Sequence, residues 1–280
     1  MKNILLPTDF SENSWNAIEY ALHYFQDTKC NFYLLHVNTL ENLIVGDTHY
    51  IPSHEEIETI YIKPTKSKLK TILRRISQKF DNNDNHKFYT LTDYNFFLES
   101  VRTHVDEKRI DMIVMGTKGA SGIKEFIIGS NAGDVITKVK CTSLIVPENA
   151  TYDTLKEVAF PTDFSLSYDI QTLEPISEIL SKKNAILRIL HIIKKDESLN
   201  SDQERNKDLL EDFFEGFEYS FHYLTNKKIE DAIQCFVESR DIDIIVMVAK
   251  NLNYFQHLLF HSRVEKISYH TDIPFLVLHE

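Results

Sequence analysis

Residues 158–165 (Val-Ala-Phe-Pro-Thr-Asp-Phe-Ser) restate residues 4–11 (Ile-Leu-Leu-Pro-Thr-Asp-Phe-Ser), the last five identically. Leu190-His191-Ile192 echoes Leu35-His36-Val37, and Ile242–Met247 echoes Ile110–Met115. Such internal similarity predicts two copies of one structural plan. The offset between copies is 154 at Pro7/Pro161 and 132 at Met115/Met247, so the second copy is 22 residues shorter between those points. Most of the loss must follow the second strand, where the first copy carries the excursion Asn38–Lys63. With 280 residues, 42% of them hydrophobic and 26% charged, the chain is long enough for two ordinary domains, read here as 1–150 and 151–280.

Within the first copy, short apolar runs alternate with helical patterns. Strands are predicted at Asn3–Pro7, Asn31–Val37, Lys87–Leu91, Asp111–Met115 and Ser143–Val146. Ser14–Phe25 reads as an amphipathic helix with Ala17, Ile18, Ala21, Leu22 and Phe25 inward. Thr65–Phe80, Phe96–Glu107 and Ala132–Lys140 read likewise. This alternation implies right-handed βαβ units and parallel sheets. The excursion Asn38–Lys63 is long for a compact domain and is a candidate lid or partner surface.

The fourth strand runs into Gly116-Thr117-Lys118-Gly119, and Gly129-Ser130 precedes the next helix. Glycines let the backbone approach an anion closely, and the first N–H groups of a helix point at it. Ser130 adds a hydroxyl, as a helix cap or as a phosphate ligand. The spacing is neither that of the phosphate-binding loop with its Lys-Ser/Thr pair nor that of the dinucleotide fingerprint.

Gly116-x2-Gly119-x9-Gly129-Ser130 resembles the ATP-binding motif of the universal stress protein family, and the flanking strand and helix agree with it. The resemblance covers both copies. It implies an α/β, Rossmann-like fold of two tandem open parallel five-stranded sheets, each ordered 3-2-1-4-5, packed as an internal pseudo-dimer through the fifth strands. That order puts the switch point between strands 1 and 4, where Asp9 and Gly116 end their strands. By resemblance, the backbone of Val37 meets the adenine, Asp9 lies near adenine and ribose, and Gly116 faces the ribose. Gly119, Gly129, Ser130 and the N–H of Asn131 hold the phosphates. Lys118 offers a point charge, and Pro7, Thr8 and Met115 complete the set. The implied cofactor is ATP, or AMP or ADP, with Mg. Asp9 has a second reading as a cap for the helix that starts near Ser11.

The second copy departs from the motif. Val248, Asn251 and His261 stand where the first has Gly116, Gly119 and Gly129, and only Ser262 matches. Residues 151–280 carry 14 Lys+Arg against 23 Asp+Glu, whereas residues 1–150 carry 17 against 19. The second site therefore reads as degenerate.

The net charge of −11 disfavours non-specific nucleic-acid binding. Cys30, Cys141 and Cys235 form no CxxC pair and read as reduced thiols. His257 and His261 lack a third ligand, and His49, His54, Glu55 and Glu56 read as a solvated loop. No nucleophilic Ser/His/Asp arrangement is evident. The N-terminal apolar run is too short for a signal peptide and no membrane span is present, so a cytoplasmic protein is expected. The expected function is an ATP-binding regulatory module of the stress response with unknown protein partners, homodimerisation being open. A slow ATPase and a nucleotide-free interaction protein with a relic site are the alternatives.

Overall fold

Ile4, Leu5 and Leu6 are all fully buried, so β1 (Lys2–Pro7) is covered on both faces, as a central parallel strand is. The computed structural model describes residues 1–39, 53–80, 83–117, 130–193, 198–225, 229–251 and 272–279. The chain forms two compact units. The first takes in Met1–Gly116 and Ser130–Cys141, and the second is built on Thr142–Glu280.

In the first unit β1 is followed by α1 (Glu12–Tyr24), β2 (Cys30–Asn38) and α2 (His54–Glu56). A π-helical turn (Ile57–Ile62) leads to α3 (Lys63–Lys79), β3 (His86–Tyr94), α4 (Phe97–Lys108), β4 (Met112–Thr117) and α5 (Ser130–Lys138). Its strands are parallel and ordered β3-β2-β1-β4. The stripe Ala17, Ile18, Ala21, Leu22 and Phe25 is buried as its helical spacing predicts.

The second unit contains β5 (Ser143–Pro147), β6 (Glu157–Pro161), α6 (Ile170–Lys183), β7 (Ile186–Ile193) and α7 (Ser201–Phe213). It continues with β8 (Tyr219–Thr225), α8 (Ile229–Ser239), β9 (Ile244–Val248) and β10 (Phe275–Leu278). Strands β8-β7-β6-β9-β10 are parallel in the predicted 3-2-1-4-5 order.

Two expectations are modified. The pairings do not divide into two separate five-stranded sheets, because β5 joins the second unit's sheet antiparallel to β10, with Phe275 opposite Ile145. That pairing covers an edge β10 would otherwise expose. Residues 54–63 of the excursion are helical rather than irregular. Ser53 caps α2 through a reciprocal box, its hydroxyl accepting from Glu56 N–H while the Glu56 carboxylate accepts from Ser53 N–H at 2.8 Å. Residues 40–52 of the excursion lie outside the described part.

The two copies share register as well as order. Ile4 pairs with Met112 in the first, and Val158 with Ile244 in the second. Asp111 and Asp243 explain part of the repeated Ile-Asp sequence. Asp111 Oδ2 accepts from Asn3 N–H at 2.6 Å, and Asp243 Oδ2 accepts from Glu157 N–H at 2.8 Å. Each carboxylate pins the start of the first strand to the start of the fourth.

Candidate functional site

The strand order reverses between β1 and β4, so the loop after β1 and the end of β4 open onto one crevice. Pro7 and Thr8 are buried at the end of β1, Val37 lies near the end of β2, and Met115 and Gly116 lie in β4. Ser130 opens α5 and Asn131 is exposed in its first turn. All of these belong to the first unit. Lys118, Gly119 and Gly129 fall outside the described residues, as do His49, His257, His261 and Ser262.

The loop after β1 is held by a relay of hydrogen bonds. Phe10 N–H donates to Thr8 Oγ1 at 3.1 Å, Thr8 and Ser14 hydroxyls lie 2.9 Å apart, and Ser14 donates to the Ser11 carbonyl. Ser11 is the N-cap of α1, its hydroxyl accepting from Ser14 N–H. Asp9 is not the cap itself. It sits one step back, accepting from Ser11 N–H at 3.0 Å and from the Ser11 hydroxyl at 2.5 Å. Partial burial pushes the Asp9 carboxyl up, but the hydrogen bonds it accepts, those from Ser11 foremost, together outweigh it and hold the group below its ordinary value. Phe10 takes φ of 67°, and its ring packs 4.4 Å from the His36 ring. His36 Nδ1 donates to the Thr8 carbonyl at 2.7 Å.

The second unit repeats this construction. Phe164 N–H donates to Thr162 Oγ1, Ser165 donates twice to Asp163, and His191 Nδ1 donates to the Thr162 carbonyl at 2.9 Å. Phe164 again has positive φ, 57°, and packs on His191. Pro-Thr-Asp-Phe-Ser therefore builds the turn out of the first strand in both units, and its presence alone does not mark a ligand site.

Gly116 differs between the units. A Cβ placed on it would lie 2.8 Å from both the backbone oxygen and the side-chain oxygen of Asn13, so the first turn of α1 fits only against a glycine. In the second unit the same position holds Val248, fully packed at the end of β9. There α6 starts at Ile170, four residues later in the repeat than α1 does. After Val248 the chain enters a short 3-10 turn, Ala249–Asn251. Neither Asn13 nor this late helix start was singled out from sequence; the only available cue was the Gly116/Val248 difference.

Among the described residues there is no cluster of three or more His, Cys, Asp or Glu that could hold a metal. Glu56, one of the candidate loop ligands, is engaged in the α2 cap. Among the described residues, no helix is long and apolar enough to cross a membrane.

The sequence model of the universal stress protein family matches residues 98–147, which run from α4 through β4 and α5 to the end of β5. The chain is 23% identical over 295 residues to universal stress protein Slr1230 of Synechocystis sp., covering 99% of each. It is 27% identical over 146 residues to universal stress protein YxiE of Bacillus subtilis, covering 51% of this chain and 97% of the relative. Among solved structures, a universal stress protein from Archaeoglobus fulgidus superposes with a TM-score of 0.71 at 21% identity, covering 98% of this chain and 97% of the other. That likeness establishes the α/β fold. By sequence and by fold, the chain is similar to universal stress proteins over almost its whole length.

Proposed function

We propose that the chain is a tandem member of the universal stress protein family, with repeats at 1–150 and 151–280, whose first repeat binds one adenine nucleotide. The observation that carries this reading is the convergence of β1 and β4 at the strand-order reversal, with Gly116 near the end of β4 and Ser130 opening α5. The first-turn N–H groups of α5, which have no partner within the helix, suit with Gly119 and Gly129 the phosphates of ATP, ADP or AMP. Asp9 and the backbone of Val37 then serve the ribose and adenine. Mg²⁺ enters with the phosphates. The second repeat carries Val248 and His261 where the motif needs glycine, so it adds no second nucleotide.

The role this supports is a regulatory module of the stress response in the cytoplasm, in which nucleotide occupancy selects a conformation that protein partners read. The tandem repeats pair through their fifth strands, a reading supported by the antiparallel match of β5 with β10. Hydrolysis is not part of the proposal. Calorimetric titration with ATP and magnesium at neutral pH should saturate near one site per chain. The Gly119→Val variant should lose that binding with its melting temperature little changed. No heat at millimolar ATP, or binding that survives Gly119→Val but vanishes on Asp163→Ala, would sink the proposal.

A further inference from the structure

Helix α3 is basic in an acidic chain. Seven of the 31 Lys and Arg fall within Lys63–Lys79, which holds no Asp or Glu, while the whole chain carries −11. Lys63, Lys66, Lys70 and Arg74 recur at steps of three, four and four, so they form one stripe along the helix, and all four are exposed. Lys66 reaches back to Glu58 at 3.2 Å. Lys63, Lys70 and Arg74 make no ion pair among the described residues, whereas Arg75 and Lys79 pair with Glu12 and Glu19 of α1.

The corresponding helix of the second unit has the opposite sign. Both α3 and α7 end on a phenylalanine, Phe80 and Phe214, whose N–H bonds to the carbonyl four residues earlier. Counting back from these ends, Glu204 takes the place of Lys70 and Asp208 that of Arg74. With Asp212 and Glu215 they make an exposed acidic stripe that runs from α7 into the turn after it. Over residues 201–215 six Asp and Glu stand against two Lys and Arg. Those two, Arg205 and Lys207, reach Asp202 and Glu211 at 4.0 and 2.9 Å. Glu204, Asp212 and Glu215 make no ion pair among the described residues. Leu209, an apolar side chain 47% exposed, lies beside the stripe.

Taken in opposite chain directions, the two stripes have one spacing. From Glu215 back through Asp212 and Asp208 to Glu204 the steps are again three, four and four. Antiparallel helices set side by side thus bring Lys63, Lys66, Lys70 and Arg74 opposite four carboxylates in register. A face kept merely soluble carries mixed signs and needs no such counterpart.

We propose that α3 docks antiparallel on α7 of a second copy of this chain through these stripes. Two copies meeting reciprocally satisfy both stripes of each, as an isologous pair requires. The contact is electrostatic, so it forms at low ionic strength and is screened at high. It is separate from the β5–β10 pairing within the chain and from the nucleotide proposed for the first repeat.

Sedimentation equilibrium of the full chain at about 50 mM and about 500 mM salt reads the contact, and self-association should be at least about tenfold weaker at the higher salt. Lys70→Glu with Arg74→Glu, and separately Glu204→Lys with Asp208→Lys, should each weaken it at least about tenfold with unchanged melting temperatures. An equimolar mixture of the two variants should regain the lost affinity. At the changed positions both stripes of the first variant are acidic and both of the second are basic. Combining all four changes in one chain should restore self-association as well. No self-association at about 200 µM chain in the lower salt would overturn the assignment. So would undiminished association in either variant, or a mixture that fails to recover. Binding of the wild-type chain to phosphatidylserine vesicles without self-association would make α3 a membrane-facing helix and overturn it equally.

Discussion

Gly116 Cα faces the carbonyl of Asn13 so closely that an added Cβ would sit 2.8 Å from it. The contact ties the end of β4 to the first turn of α1, and it gives this glycine a packing role alongside any role toward a ribose. Where the second unit has Val248, the corresponding turn of helix is absent. One side chain and one turn of helix thus compete for the same space.

Gly116→Val should therefore destabilise the first unit by about 1–3 kcal/mol, the usual cost of forcing bulk into a packed site. The backbone oxygen of Asn13 cannot be trimmed by mutation, so the strain must be relieved by unwinding the first turn of α1. Amide exchange at Ser14 and Trp15, whose N–H groups bond to the Ser11 hydroxyl and carbonyl, should accelerate selectively. Unchanged exchange there, with unchanged stability, would show that the contact relaxes freely.

Asp9 and Asp163 make the same two bonds to the following serines, which separates structure from ligand binding. Asp9→Ala and Asp163→Ala should each cost about 1 kcal/mol, as for partly exposed hydrogen bonds that brace a turn. Only Asp9→Ala should weaken ATP. Chemical denaturation and calorimetry on the same two variants check both halves. Equal effects on ATP would remove Asp9 from the nucleotide site.

How much of this was legible beforehand can be argued from particular residues. The repeated Pro-Thr-Asp-Phe-Ser and the apolar run before Gly116 disclosed two βαβ series, whereas the strand order within them was implied by the resemblance to universal stress proteins. The site of the length loss was legible too. The offset is still 155 at His36/His191 but has fallen to 134 at Phe80/Phe214. The Ser53-x-x-Glu56 capping signal was present in the chain, yet a polar, uneven stretch around it hid the helical start of α2. What no local pattern carries is which backbone meets which across the fold. Gly116 against Asn13, β5 against β10 and the bond from Asn206 Nδ2 to the Phe164 carbonyl each join residues roughly 40 to 130 positions apart. The role of Asp9 was divided between cap and ligand from sequence. The geometry makes it a support for the cap, which leaves the ligand role to binding measurements.

His36 gives a pH-dependent prediction. Burial pushes its imidazole pKa below the ordinary 6.5, with the bond to the Thr8 carbonyl opposing that and Lys68 adding to it. Because the folded pKa is depressed, the unfolded chain takes up the proton first. The stability that depends on neutral His36 is fully present above about pH 6.5 and is lost as pH falls toward the folded value. An NMR titration of the ring should have its midpoint below 6.5. Melting temperatures of the wild type should fall more between pH 7 and 5 than those of His36→Asn. A midpoint at or above 6.5 would contradict the argument.

The thiols offer a test of packing that needs no ligand. Cys30 is fully buried in β2, and Cys141 is buried beside Ile110, its Sγ donating to that residue's carbonyl. Burial pushes the Cys141 thiol up to about 12, and the nearby Asp111 carboxylate pushes the same way. Since the thiolate is the reactive species, Cys141 is protected twice, by access and by protonation. Cys235 is exposed on α8. A thiol-specific disulfide reagent at pH 8 should thus titrate one cysteine rapidly in the native chain and all three in denaturant. Asp111→Asn removes the carboxylate beside Cys141 and weakens the tie to Asn3 N–H, loosening the junction of β1 and β4. It should therefore raise the rate at Cys141 through local opening, with Cys235 unaffected. A fast native reaction at Cys141 in the wild type would mean that the start of β4 is far less tightly packed than its neighbours require.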